Sequence, residues 1–428
     1  MNDTIVSIHG RRVWDSRGRP TVEAEVRLAG GAIGRAIAPA GASTGSAEAV
    51  DRRDGGTAFG GFDVRGALDA VNGEIAGLLR GRAATDQSEI DAALVALDGT
   101  PNRERLGGNA LVATSMAVAH AAATARGLPL WRYLANGDSS PCLPLPEVQI
   151  FGGGAHAGRR VDVQDFMVIA VGAGSYAQAL DWTAEVYRAA GQLMSAAGLL
   201  QGVADEGGYW PAFSNNEQGL DVLVQAIERA GLVPGSDVAI SLDIAATDFG
   251  HGGRYRLSRD GREIDSDGLA EMLLGWLARY PIVAIEDPLG EDDGTALARF
   301  TAAAGPRIEV VADDFICTNA ARIHRAAELG ACNTALIKPN QAGTLTETRA
   351  ALEAARAADW EAIVSARSGE SEDVTIVHLA VGWGAKQLKV GSFSRSERMA
   401  KWNEGLRIAE SLADSDGDLP PRAAFPWG

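Results

Sequence analysis

The sequence predicts an α/β protein, a modified (β/α)8 barrel with an N-terminal α+β cap domain. Three observations carry that reading. A chain of 428 residues is too long for one ordinary core. Its second part repeats one unit eight times, a short β-branched run ending near a polar residue and followed by an amphipathic helical pattern. Its first part has alternating apolar positions (Val22, Ala24, Val26) before stretches of helical periodicity.

The cap is expected over residues 1–138, since strands followed by helices, as in DAVNGEIAGLL and NALVATSMAVAHAAATA, form an α+β unit. The segment ANGDSSPCLPLPEV, rich in Pro and small polar residues, reads as the linker. The barrel is expected over 139–428, with strands in VQDFMVIA, VADEGG, VAISLD, IVAIED, IEVVADD, TALIK, EAIVSAR and QLKVG, all parallel. Between the first two, Ala179, Trp182, Val186, Ala190 and Leu193 recur every three or four residues and give one apolar helix face.

Composition excludes several classes of function. A net charge of -17 repels nucleic acid and anionic membranes, and no apolar run is long enough to span a bilayer. Cys142, Cys317 and Cys332 are scattered and odd in number, which fits a reducing compartment. The N-terminus has no basic segment leading into an apolar one, so a cytoplasmic enzyme is expected.

In such a barrel the C-terminal strand ends converge on one mouth, where Glu206, Asp243, Glu286, Asp313, Lys338, Arg367 and Lys389 would meet. Asp243, Glu286 and Asp313 end successive strands, and three carboxylates in one cavity repel unless a divalent cation lies between them. Oxygen donors alone select a hard ion, Mg2+. Helix capping explains any one acid equally well, but it is a poorer account of three in register. Lys338 and Lys389, buried near metal and other cations, would have depressed pKa values and could act as bases; neutralising the acids is the alternative. Their surplus of positive charge points to an anionic, phosphorylated carboxylic acid.

These residues sit in strings that resemble the enolase (phosphopyruvate hydratase) family over nearly the whole chain. The strings run from VWDSRGRPTVEAEV and GASTG through LDGTPN, GGAHAG, DEGGYWP, IEDP, ADD, IKPNQAGTLTET and RSGESED to SRSER and KWNEGLRI. The resemblance implies a barrel that opens ββαα, a homodimer or higher homo-oligomer with contacts in DSRG and RSER, and interconversion of 2-phosphoglycerate and phosphoenolpyruvate. It implies two Mg2+ ions, the second arriving with substrate. Carried over residue by residue, Asp243, Glu286 and Asp313 are ligands of the first ion. Lys338 is the base, Lys389 offsets carboxylate charge, and Glu206 assists loss of the β-hydroxyl. Asp165 shares that leaving-group side. Arg367 and Ser368 form the phosphate clamp, Ser43 is the lid residue reaching the second ion, His156 closes over the phosphate and Gln164 contacts the carboxylate. Without the resemblance, Ser43 and His156 read as ordinary loop residues.

Two positions depart from the family. SARSGE has Ala366 where SHRSGE is usual, and QDFM has Asp165 in place of a glutamate. Both lie on the leaving-group side, while the half that makes the enediolate is intact. Arg159 and Arg160 add positive charge to the lid. A working but divergent enolase is one reading. The other is a specialised paralogue similar to carboxyphosphonoenolpyruvate synthase of phosphonate and phosphinate pathways, and a non-catalytic protein of the same fold is a third.

Overall fold

A computed structural model describes residues 3–135, 141–412 and 419–428. The expected boundary at 138/139 falls outside the described residues. In the cap, β1 (Ile5–Trp14), β2 (Pro20–Leu28) and β3 (Ile33–Ile37) form an antiparallel sheet in that order. Val22, Ala24 and Val26 are all buried on it, as the alternation predicts. The helix Gly108–Ala125 packs against this sheet closely because both surfaces are small. A Cβ on Gly34 would lie 2.2 Å from the Ala117 carbonyl oxygen and the Ala121 nitrogen.

The barrel has eight strands, but not the eight expected. It starts with β4 (Leu145–Gly152) and β5 (Asp165–Ile169). A hairpin, β6 (Leu200–Val203) and β7 (Tyr209–Pro211), follows before β8 (Ala239–Asp243). After a small antiparallel sheet of β9 (Gly250–His251), β10 (Arg254–Leu257) and β11 (Arg262–Asp265), the barrel continues. Its last strands are β12 (Ile282–Glu286), β13 (Glu309–Ala312), β14 (Thr334–Ile337), β15 (Glu361–Ser365) and β16 (Gln387–Ser392). Pairing of β16 with β4 closes the ring.

Three expectations are corrected. Part of the predicted linker is β4, every residue of which is buried. The run VADEGG is no barrel strand: it belongs to the hairpin, which leans on β4 through Phe151 and Tyr209. Nor are all strands parallel, because β5 runs antiparallel to both β4 and β8, the ββαα opening. Reversal of β5 puts its beginning, not its end, at the mouth.

Helices cover the barrel with the stripes the sequence shows. In Tyr176–Ala196, Ala179, Val186 and Ala190 are buried, Trp182 and Leu193 pack partly buried, and Ser175 caps the first turn by accepting from Gln178 N. Each fully buried large aliphatic or aromatic side chain contributes about 1.5–3 kcal/mol relative to exposure. At the end opposite the mouth, Phe425 packs with Leu145, Ile169, Ala239 and Val283, plugging the barrel. Among the described residues no helix is long and apolar enough to cross a membrane.

Candidate active site

Parallel register aligns the acids. Asp243 pairs with Glu286 across β8 and β12, and Asp313 follows the end of β13. Asp287, at φ 40°, accepts from the backbone N–H groups of Asp313 (2.9 Å) and Asp314 (3.0 Å) and so fixes the turn carrying Asp313. Burial, and then the neighbouring Asp313 charge, push the Asp287 carboxyl up to about 8. Lys338 follows β14, its backbone N–H bonded to Thr318 Oγ1 at 2.9 Å.

One cavity gathers Ser43, His156, Gln164, Asp165, Glu206, Asp243, Lys338, Ala366, Arg367, Ser368 and Lys389. Glu286 and Asp313 join it through lysines. Lys389 Nζ donates to Glu286 Oε2 (2.6 Å) and Asp243 Oδ2 (3.0 Å), and Lys338 Nζ donates to Asp313 Oδ2. The sequence-predicted site residues therefore come together. A larger cleft of about 740 Å3, lined by Gln87, Arg126, Arg132 and Trp383 among others, lies between cap and barrel and contains none of them. The small cavity is the candidate site because the chemistry is there.

With no ion between the acids, the lysines themselves offset the carboxylates. Burial acts to lower the Lys338 pKa, but Asp313 raises it above its ordinary value, and Asp243 and Glu286 do the same to Lys389. Arg367 and Lys389 act against the Lys338 charge, but the nearer carboxylates outweigh them, and without a metal among these acids the balance favours the protonated form.

The metal trio also differs in detail. Among the described residues, the groups whose ligand atoms all lie within 4.8 Å are His156–Asp165–Glu206 and Asp287–Asp313–Asp314. The first is an acid–base cluster: His156 Nδ1 is 3.1 Å from Asp165 Oδ1, and Nε2 is 3.9 Å from Glu206 Oε1. Although burial disfavours its charge, Asp165 and Glu206 lift the His156 pKa to about 9, so the ring is a cation. Asp243, Glu286 and Asp313 instead surround the two ammonium groups. Their donor set still fits Mg2+, because all donors are carboxylate oxygens and Glu286 Oε1 is buried without a hydrogen-bond partner.

Gln164 Nε2 donates to Asp243 Oδ2 at 3.0 Å, leaving its buried Oε1 without a partner. Ser368 Oγ accepts from Arg17 Nη1 at 3.1 Å, which ties the DSRG segment to Ser368. The RSER segment is engaged similarly, since buried Arg398 donates to the backbone oxygens of Arg367 (2.7 Å) and Ser368 (2.6 Å).

Sequence reasoning missed Gln149, Gln341 and Glu48. Gln149 Nε2 donates to Asp165 Oδ1 while its Oε1 accepts from Gly208 N at 2.8 Å, joining Asp165 to the loop that carries Glu206. Its signal was hidden because β4 reads as linker. Gln341 stands in the quoted KPNQAG string, and Glu48 lies a few residues beyond GASTG.

Comparison with protein families agrees with this architecture. Residues 5–134 match the family model described as Enolase, N-terminal domain, and residues 140–417 match Enolase, C-terminal TIM barrel domain. Together these cover nearly all of the chain, and the protein belongs to the enolase family.

Proposed function

We propose that this enzyme removes the α-proton of 2-phosphoglycerate and expels the β-hydroxyl, interconverting it with phosphoenolpyruvate. The observation that carries the reading is that Lys338 and Glu206, from opposite sides of the barrel, line the same cavity. Mg2+ held by Asp243, Glu286 and Asp313 would supply Lewis-acid charge that stabilises the enediolate. Gln164 and Lys389 orient and neutralise the carboxylate. Lys338 takes the α-proton as the neutral amine, after its ion pair with Asp313 has broken and its own proton has passed to solvent. On the other side, Glu206, beside His156 and Asp165, delivers a proton to the departing hydroxyl. Arg367 and Ser368 grip the phosphate, and the lid carrying Ser43 excludes water. A second ion arriving with substrate at Ser43, a homodimer and a cytoplasmic setting belong to the same proposal. Formation of phosphoenolpyruvate from 2-phosphoglycerate at saturating Mg2+ tests it directly, and no turnover would overturn it.

One observation favours a second reading. Ala366 lines the leaving-group side and brings only a methyl group there, while its backbone N–H is spent on Lys389 O at 2.8 Å. An enolase-like paralogue in phosphonate or phosphinate biosynthesis would use that space for a second substrate. Coupling of phosphoenolpyruvate with an activated phosphonoformate, without dehydration of 2-phosphoglycerate, would establish it.

A further inference from the structure

Two adjacent residues in the loop after Asp313 hold a backbone conformation that side chains rarely adopt. Cys317 has φ 48° and Thr318 has φ 50°, and for a β-branched residue such as threonine that region is an outlier. The surrounding structure must hold Thr318 there, and strain of this kind raises the question of what the side chain does.

What the strained turn delivers is a hydroxyl. Thr318 Oγ1 accepts from the Lys338 backbone N–H at 2.9 Å and donates to Gln341 Oε1 at 2.6 Å. A backbone amide can only donate, so the one hydroxyl proton goes to Gln341. The sense of that side-chain amide follows, its oxygen toward Thr318 and its NH2 group away from it. Gln341 Nε2 then donates to Asp313 Oδ1 at 2.8 Å and to Glu48 Oε1 at 3.1 Å, a carboxylate that Arg367 also holds. The other Asp313 oxygen, Oδ2, accepts from Lys338 Nζ.

These bonds close into a ring. They run from the Lys338 backbone through Thr318, Gln341 and Asp313 to the Lys338 ammonium, and all four residues are buried. The local chain keeps the ring short: Pro339 starts a single helical turn, Pro339–Ala342, and Gln341 N bonds back to Lys338 O at 3.0 Å. Turning the Gln341 amide over would set its oxygen against Asp313 Oδ1 and face the Thr318 hydroxyl with an NH2 group, so the ring has one sense only. Thr318 does not line the small cavity and acts through its neighbours.

We infer that Thr318 is a positioning residue: its hydroxyl sets the sense of the Gln341 amide and thereby holds Asp313 and Lys338 in a fixed relation. The inference rests on the reading above, in which Asp313 is a metal ligand and Lys338 the base. Asp313 Oδ1 stays with Gln341, so Oδ2, the oxygen that Lys338 holds, is the one free to change partner. Lys338 can lose that partner without losing its place, because its backbone N–H remains tied to Thr318.

Calorimetric titration of the full chain with Mg2+ tests this without requiring turnover. Thr318→Val keeps the shape and the β-branch but removes the hydroxyl, and it should bind Mg2+ about tenfold more weakly than wild type, or worse, as losses behind a metal ligand do. Thr318→Ser keeps the hydroxyl and should stay within about threefold of wild type. Gln341→Met breaks the same ring at its next member and serves in place of the valine variant if that does not fold. On 2-phosphoglycerate, kcat should fall about 10–100-fold in Thr318→Val while KM changes less than about threefold, because the groups that hold the substrate are untouched. Equal Mg2+ affinity in Thr318→Val and wild type would show a residue that only packs, and serine as weak as valine would show that the hydroxyl is not what matters. Either result overturns the inference. A wild type that binds no Mg2+ would overturn the metal reading and this inference with it. The expected Mg2+ affinities with no turnover of 2-phosphoglycerate would retire the substrate assignment and leave the ring standing.

Discussion

Lys389 Nζ lies 2.6 Å from Glu286 Oε2, while the other oxygen of that carboxylate is buried with no partner. Burial and the nearby Asp243 push the Glu286 carboxyl well up, and Lys389 opposes them. An acid in that position is half satisfied by an ammonium and has one oxygen left for a cation.

Replacing Glu286 by Gln should therefore weaken Mg2+ binding by more than about 100-fold, since changes merely outside a metal's ligands already cost 10–100-fold. Calorimetry with Mg2+ measures it. Unchanged affinity would remove Glu286 from the ligand set.

His156 makes stability and charge depend on pH in a defined direction. Its pKa is raised from 6.5 to about 9, against the effect of burial, by Asp165 and Glu206. The stability this pairing contributes is fully present below about pH 6.5 and is lost as pH rises through about 9. Thermal melts of wild type and His156→Gln should accordingly differ at pH 6 and converge above pH 9. A difference that grows with pH would contradict the assignment.

A pair of histidines elsewhere behaves oppositely. His120, on the cap helix Gly108–Ala125, and His378, on the barrel helix Thr375–Trp383, meet edge to face with ring centroids 6.3 Å apart. Burial lowers both pKa values, that of His378 to about 4, although Asp373 and, for His378, Glu404 oppose the shift. Folding favours the neutral rings, so this contribution is present above about pH 6.5 and is lost as pH falls toward 4. The opening constant at the seam between cap and barrel, from hydrogen exchange corrected for the intrinsic rate at each pH, should increase between pH 7 and 5. His378→Gln should flatten that increase, and an identical pH dependence in both proteins would count against it.

Ala366→His tests which leaving-group chemistry the site supports. In a weakened enolase the added imidazole should raise the dehydration rate, by as much as about 10²–10⁴ for one proton-transfer group. In a paralogue the same change should damage the native coupling reaction and bring no dehydration. Both assays on the same two proteins decide between them.

The parts legible in the sequence are those coded locally. Asp243, Glu286, Asp313 and Lys338 were found because each follows a short apolar run that is a barrel strand. Strand β4 was not, since Pro144 and Pro146 disguise a segment that is wholly buried. VADEGG reads like the other runs because closure of a sheet leaves no local mark, yet its hairpin still delivers Glu206 to the mouth. The direction of β5 is equally silent in the sequence, although it decides that Gln164 and Asp165 face Asp243. The partners Glu48 and Arg367 are 319 residues apart, and only the folded chain brings them together.

The central claim is that Lys338 removes the α-proton while Glu206 serves the later loss of the hydroxyl. Exchange of the α-proton of 2-phosphoglycerate with deuterated solvent, followed by NMR, separates the two roles. Lys338→Ala should abolish exchange, whereas Glu206→Gln should retain measurable exchange and lose phosphoenolpyruvate formation. Equal exchange in wild type and Lys338→Ala would place the base elsewhere and contradict the account.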